Sequence, residues 1–338
     1  MSDRFLRSAG RAAALALVLT ASVHIAGQAP AAGQEPVPAP RKTQVPKDWK
    51  APRTSWGHPD LQGIYSNSTI VPLERPANMA GKTELTEAEV KARFEQYRGF
   101  LFAPRTGGTG FYNEFWWEWG RDNNRTSLIV DPPDGKLPWS PAGRAGRKTG
   151  MQFGLPGSWM DLNILDRCIT RSLPGTMMPG FYGHYYQILQ TPHYVVIQIE
   201  LLHDTRIIPL DGKPHVGQNI RQWLGDSRGH WEGDTLVVET TNMTDKPGVI
   251  NFVTFFSVGS DLKLTERFTR VNPDTIDYRF TVEAPSSFTT PWTAAIPMWK
   301  ADEKMFEYAC HEGNYAMFNT LSGARAEEAA KAAGGTSR

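Results

Sequence analysis

Four side chains carry the proton-transfer chemistry that this sequence suggests: Glu266, Glu200, His203 and His311. Glu266 falls in the alternating run Leu262-Lys263-Leu264-Thr265-Glu266-Arg267-Phe268, on the phase of Leu262, Leu264 and Phe268. If that apolar face points inward, it carries a carboxylate with it. Such a group must be paired or hydrogen-bonded, or it titrates upward and becomes a general acid. The structural alternatives are a bulge that turns Glu266 outward and a salt bridge to an inward arginine. Glu200, His203 and Arg206 occupy a strand end and a corner, the place where a barrel mouth meets a ligand. A Glu beside a His is an acid–base pair, and Arg206 can hold an anion or a developing negative charge. A surface network around the Leu202–Asp204 turn is the competing reading.

His311 follows Cys310 in Cys310-His311-Glu312-Gly313-Asn314, and Arg121 opens the dense polar run Arg121-Asp122-Asn123-Asn124-Arg125. Arg121, Arg206, Tyr186, Trp231 and Asn314 are the candidates for substrate contact. The chain has two cysteines, Cys168 and Cys310. In an oxidising compartment they most simply form one disulfide, and two separate buried thiols are the alternative. A bridge would tie His311 and Glu312 to Asp166-Arg167-Cys168.

Other chemistries find less support. Asp226, Ser227 and His230 contain hydrolase residue types, but Ser227 lacks the G-x-S-x-G elbow, and turn chemistry accounts for that Gly-punctuated loop. The seven histidines beyond residue 31 (His58, His184, His193, His203, His215, His230 and His311) form no H-E-x-x-H or H-x-H pattern, so no metal site is expected. Neither G-x-G-x-x-G after a strand nor a P-loop is present, and no cofactor is expected.

The elements that must position these groups are short strands. Tyr185–Gln190 and Tyr194–Leu201 flank Thr191-Pro192-His193, a hairpin loop. In the second strand Val195, Ile197, Ile199 and Leu201 share a face, with Tyr194, Val196, Gln198 and Glu200 on the other. Strands are also expected at the start Gly63-Ile64-Tyr65 and over 126–130, 235–242, 262–271, 275–283, 292–300 and 305–310. Turns are expected at residues 131–135, Asp211-Gly212 and Glu232-Gly233-Asp234. Leu85–Gly99 is the clearest helix, with Thr86 and Glu89 as a capping box and Gly99 as its C-terminal cap. Trp139–Trp159, rich in Gly, Pro and Arg, reads as a long loop. The fold class is mainly β: an antiparallel meander closed as a barrel or packed as a sandwich, with one N-terminal helix and long loops.

The 338 residues carry a formal net charge of +1, and the basic residues are scattered, which argues against a nucleic-acid partner. Eleven Trp, ten Tyr and sixteen Phe suit an apolar or aromatic small-molecule ligand as well as a core. Arg4, Arg7 and Arg11 precede a short apolar run, Ala12–Ala26, and Ala29-Pro30-Ala31 offers a cleavage site. Residues 1–31 are therefore expected to be an export signal, with an uncleaved anchor as the alternative, and the protein to be periplasmic with no membrane partner after cleavage. Residues 32–55 form a Pro-rich linker, 56–323 one β-rich domain and 324–338 a fraying helix and disordered tail.

Several segments resemble a large family of exported bacterial proteins, most of them uncharacterised. They are Trp56-Gly57-His58-Pro59-Asp60-Leu61-Gln62-Gly63, residues 127–135, His203-Asp204-Thr205-Arg206-Ile207-Ile208, Gly229-His230-Trp231-Glu232-Gly233-Asp234-Thr235-Leu236-Val237-Val238 and Cys310–Asn314. The resemblance spans nearly all of the chain beyond the signal and implies no activity. The Gly-x-Tyr strand start and following meander are similar to lipocalin-like (calycin) barrels. The functional expectation is a cofactor-independent lyase, hydratase or isomerase acting on a small apolar or aromatic molecule. A non-catalytic periplasmic carrier and a metal-assisted hydrolase are the alternatives.

Overall fold

The computed structural model describes residues 45–334, apart from 103–117, 119, 147, 150–155, 163, 245–253, 256–259 and 303. The export segment 1–31, the linker up to residue 44, all but Glu118 of the aromatic-rich run 107–119 and residues 335–338 lie outside the described residues. The strands are β1 (Gly63–Ser66), β2 (Ile129–Asp131), β3 (Lys148–Thr149), β4 (Tyr185–Gln190), β5 (Tyr194–Ile199), β6 (Thr205–Pro209), β7 (Asp226–Glu232), β8 (Thr235–Thr241), β9 (Thr254–Phe255), β10 (Lys263–Asn272), β11 (Thr275–Glu283) and β12 (Trp292–Lys300). Ten of them form one antiparallel sheet in the order β6-β5-β4-β1-β12-β11-β10-β8-β7, with β2 on the free end of β12, while β3 and β9 pair separately.

This is the mainly β, barrel-like architecture expected from the alternation. Eight antiparallel steps lead from β6 to β7, so the two end strands run in the same direction. They come together to close the barrel almost completely. Gly229 of β7 makes this approach possible, because a Cβ there would lie 2.9 Å from Ile208 Cγ2 and 2.9 Å from Leu210 Cδ2. No backbone ladder joins β6 to β7 among the described residues.

Alternation decides what fills the interior. Val195, Ile197 and Ile199 of β5 are fully buried, as are Leu264, Glu266 and Phe268 of β10 and Tyr278, Phe280 and Val282 of β11. Phe268 stacks on Tyr278 with ring centroids 4.7 Å apart, and Phe280 meets Trp292 edge-on at 5.6 Å. These rings occupy the layers where a ligand-carrying barrel would have open space.

Helix α1 (Glu87–Phe102) begins with the expected capping box: Thr86 N–H donates to Glu89 Oε2 at 2.9 Å, and Glu89 N–H to Thr86 Oγ1 at 3.3 Å. It continues through Gly99, which lies within the helix rather than capping it. The Trp139–Trp159 stretch contains the short helix α2 (Pro141–Gly146). Residues 305–310 form no strand. The Phe306 N–H donates at 2.8 Å to Glu200 Oε1, so a side chain rather than a strand ladder ties that segment to the end of β5. Residues 226–232, read from sequence as loop, form β7; the missing β-branched side chains concealed it. The expected frayed tail contains most of α3 (Ala316–Ala332), where Ala324 is buried and Arg325 donates to the carbonyls of Pro156 and Gly157 at 2.9 Å each. The end of the Pro-rich stretch packs on the barrel, with the Trp49 indole N–H donating to Arg270 O at 3.0 Å and Ala51 buried.

Candidate functional site

Glu266 does point inward, and Arg206 meets it. Arg206 Nη1 donates to Glu266 Oε1 at 2.9 Å and Nη2 pairs with Oε2, while the Tyr278 hydroxyl donates to Oε1 at 2.9 Å. Arg206 is 3% and Glu266 0% exposed. Burial works against the Arg206 charge, but Glu266 outweighs it and holds the guanidinium above its ordinary value. Burial, followed by the Glu266 charge, pushes the Tyr278 hydroxyl well up. Arg206 Nη2 also reaches Ser227 Oγ on β7 at 3.4 Å, and Ser227 Oγ lies 2.8 Å from Thr240 Oγ1. This polar chain fastens the seam between β6 and β7 from inside.

A groove of about 630 Å³ opens at the same seam, and Arg206 is among the residues that line it. Its walls include Thr205, Ile207 and Pro209 of β6, Asp226 and Ser227 of β7, and the 221–225 connection, with Ile169, Thr170 and Asp204 at one end. Asp204 is the carboxylate whose geometry suits proton transfer. Its Oδ2 accepts from the hydroxyls of Thr170 at 2.6 Å and Thr176 at 3.4 Å, whereas Oδ1 accepts from no described residue. Burial raises the Asp204 carboxyl above the usual carboxylate value, against the lowering effect of both threonines, His203 and Arg206. Thr176 links the groove to the interior, because its carbonyl accepts from the Tyr186 hydroxyl at 3.2 Å.

The corner before Asp204 is held in an uncommon backbone conformation, with Leu202 at φ +60° and His203 at φ +46°. Non-glycine residues occupy that region only when their surroundings fix them there. Here Ile199 N–H bonds the Asp204 carbonyl at 2.8 Å and His203 N–H the Glu200 carbonyl at 3.0 Å, closing the turn. On the far wall Asp226 Oδ2 lies 2.7 Å from His215 Nδ1 and accepts from Arg228 Nε at 3.2 Å. Burial opposes ionisation of Asp226, but the Arg228 and His215 hydrogen bonds prevail and lower it.

The residues singled out from sequence fall in separate places. Glu266, Arg206 and Tyr186 are interior, Tyr186 being 1% exposed. Glu200, His203 and Cys168 are met by the segment 306–314, which also carries His311 and Asn314. Glu200 receives the Phe306 N–H, His203 Nδ1 lies 3.1 Å from Tyr308 O, and Asn314 Nδ2 is 3.2 Å from Cys168 Sγ. The Cys168–Cys310 disulfide is present, with Cα atoms 5.8 Å apart. His203, His311 and Asn314 are exposed. Arg121 lies over the Trp299 ring at 5.7 Å, and Trp231 packs beside His58 at 5.4 Å, both away from Glu266. Glu200 and Glu266 therefore do not share a group with a histidine among the described residues.

Asp204, Thr170, Thr176 and the Asp226–His215 pair had no role assigned from sequence. The corner resets the strand phase, so alternation offers no way to see that Asp204 lines a groove. Beneath the barrel end, burial and then Arg171 pull His184 down to about 3, keeping its imidazole neutral while Nε2 accepts from Gly180 N–H at 2.9 Å. Among the described residues no group of three or more His, Cys, Asp or Glu side chains is placed to hold a metal ion. Comparison with protein-family models, with curated proteins and with solved structures finds no match to this chain.

Proposed function

We propose that this protein is an exported, cofactor-independent enzyme of the lyase, hydratase or isomerase type that acts on a small molecule with an apolar or aromatic body in the β6–β7 groove. The observation that carries the reading is Asp204, a groove-lining carboxylate with Oδ2 fixed by two threonine hydroxyls and Oδ1 accepting from no described residue. Burial raises this carboxyl above the usual carboxylate range, the direction that favours a group able to hold a proton as well as release it. Asp204 Oδ1 would move the proton, Thr170 and Thr176 would fix its direction, and Ile169, Ile207, Pro209 and Leu224 would receive the apolar body. The Arg206–Glu266 pair stands behind the groove as the support that fixes β6 and β7. The disulfide supports export, as do the N-terminal segment and the motifs resembling exported bacterial proteins.

The test is to incubate the protein in D2O with a panel of small aromatic and aliphatic carbonyl compounds. Isotope exchange, addition or elimination is followed by NMR and mass spectrometry. Wild type is expected to convert one class, and Asp204→Asn to bind that class without converting it. Turnover equal to wild type in Asp204→Asn would overturn the reading. A ligand retained by the purified protein and never altered would make it a carrier.

A further inference from the structure

The β5–β6 ladder has a phase fixed at both ends. Ile199 N–H donates to the Asp204 carbonyl and Leu210 N–H to the His193 carbonyl, each at 2.8 Å. Between them Ile197 pairs with Arg206 and Val195 with Ile208. Bonded and non-bonded pairs alternate along an antiparallel ladder. Residues 204, 206, 208 and 210 therefore direct their N–H and C=O groups at β5, and Thr205 and Ile207 direct theirs at the seam. β7 follows the same rule. Its two-residue turn, Gly233-Asp234, makes Glu232 and Thr235 a bonded pair, which leaves Ser227 and Gly229 with their main-chain groups turned away from β8. No ladder takes up either edge among the described residues. Thr205, Ile207 and Ser227 all line the groove.

The groove thus presents strand edges as well as side chains. β6 and β7 already meet where Gly229 faces Ile208 and Leu210, so an extended segment would add antiparallel to β6 alone, along its Thr205–Ile207 edge. Alternate side chains of such a segment would reach the apolar wall of Ile169, Ile207, Pro209 and Leu224. Ile207 is 62% exposed, so this wall is open to a visitor. We infer that the groove recognises an amide-bearing ligand, the simplest being a short extended peptide with an apolar side chain, held main chain to main chain on Thr205 and Ile207. The inference rests on the groove being the functional site and names the class of molecule that Asp204 would act on.

The test compares capped apolar dipeptides and tripeptides with analogues in which an ester replaces the central amide. Both are titrated into 15N-labelled protein beside a panel of amide-free aromatic carbonyl compounds. The peptides should shift the amide resonances of Thr205, Ile207 and Ser227, and the matching esters should bind about tenfold more weakly. Ile207→Pro removes the seam-facing N–H while leaving the β5 ladder intact, as edge strands allow, and should weaken peptide binding similarly. Equal binding of amide and ester in the groove, or groove binding by amide-free compounds alone, overturns the inference and leaves the acid–base reading standing. Undiminished peptide binding by a folded Ile207→Pro protein also overturns it. If that variant does not fold, the amide–ester comparison on wild type decides alone. If no compound of any class perturbs the groove, both readings fall together.

Discussion

Arg206 and Glu266, 60 residues apart in the chain, face each other inside the barrel with Arg206 Nη1 2.9 Å from Glu266 Oε1. The pair bonds the first inward position of β6 to the middle of β10, and through Ser227 it also reaches β7. Breaking one side of a buried pair leaves the other charge uncompensated, at a cost of about 3–5 kcal/mol, whereas replacing both by apolar residues is often neutral. Glu266→Gln is therefore expected to lower stability by several kcal/mol (about 3–5) in urea denaturation at pH 7. The double variant Arg206→Met, Glu266→Leu should recover most of that loss. A Glu266→Gln loss below about 1 kcal/mol would show that the pair does not fasten the seam.

Burial of the Asp204 carboxyl makes its contribution to stability depend on pH. Its folded carboxyl titrates above its unfolded value, so the folded state binds more protons between the two. Its contribution is most favourable below the unfolded value of about 3.9 and is lost as pH rises through the folded one. Asp204→Asn keeps an oxygen for the threonine hydroxyls and removes the ionisation. It should be at least as stable as wild type at pH 7 while losing turnover, as measured by thermal melts alongside the D2O assay.

His184 works in the opposite sense. A folded value of about 3 lies below the unfolded value of about 6.5, so the folded state binds fewer protons. Its contribution is complete above about pH 6.5 and declines as pH falls toward 3, with a slope of about 1.4 kcal/mol per pH unit where the difference is one proton. His184→Gln can still accept the Gly180 N–H. Urea titrations from pH 7 to pH 4 should show a shallower dependence for this variant, and an unchanged slope would contradict the buried neutral imidazole.

The Cys168–Cys310 bridge spans 142 residues of sequence. The chain-entropy model assigns such a closure about 5 kcal/mol. Cys168→Ser with Cys310→Ser is expected to lower stability by an amount of that order, and to accelerate hydrogen exchange in residues 305–315 first. Uniform acceleration across the barrel would mean that the bridge holds the whole fold rather than residues 305–315 alone.

Gly229 offers a direct probe of the seam. A methyl group there would crowd Ile208 Cγ2 and Leu210 Cδ2, both at 2.9 Å. Gly229→Ala should cost about 1–3 kcal/mol and shift the resonances of Ile208 and Leu210 while sparing those of β11. A variant as stable as wild type would show that β6 can move away freely.

The barrel was legible because its strands alternate. Val195, Ile197 and Ile199 announce an inner face, and the phase of Leu264 and Phe268 places Glu266 on it from sequence alone. The partner of Glu266 was legible as a type, an inward arginine, but not as Arg206, since pairing across 60 residues depends on sheet order. β7 was hidden because Asp226-Ser227-Arg228-Gly229 reads as turn chemistry, while Gly229 serves close packing instead. The groove was invisible for a related reason. Its walls come from two strands that are neighbours only at the closure, and the corner at Leu202 and His203 breaks the periodicity that would have linked Asp204 to β6.

The strand count has a consequence of its own. A ring in which every neighbour must point the opposite way cannot be completed with an odd number of members. Nine strands around this barrel leave one contact frustrated, as in an odd ring of opposed magnets. The mismatch can be moved but not removed, and this chain concentrates it between β6 and β7. There the two strands run parallel, no ladder joins them among the described residues, and the groove opens.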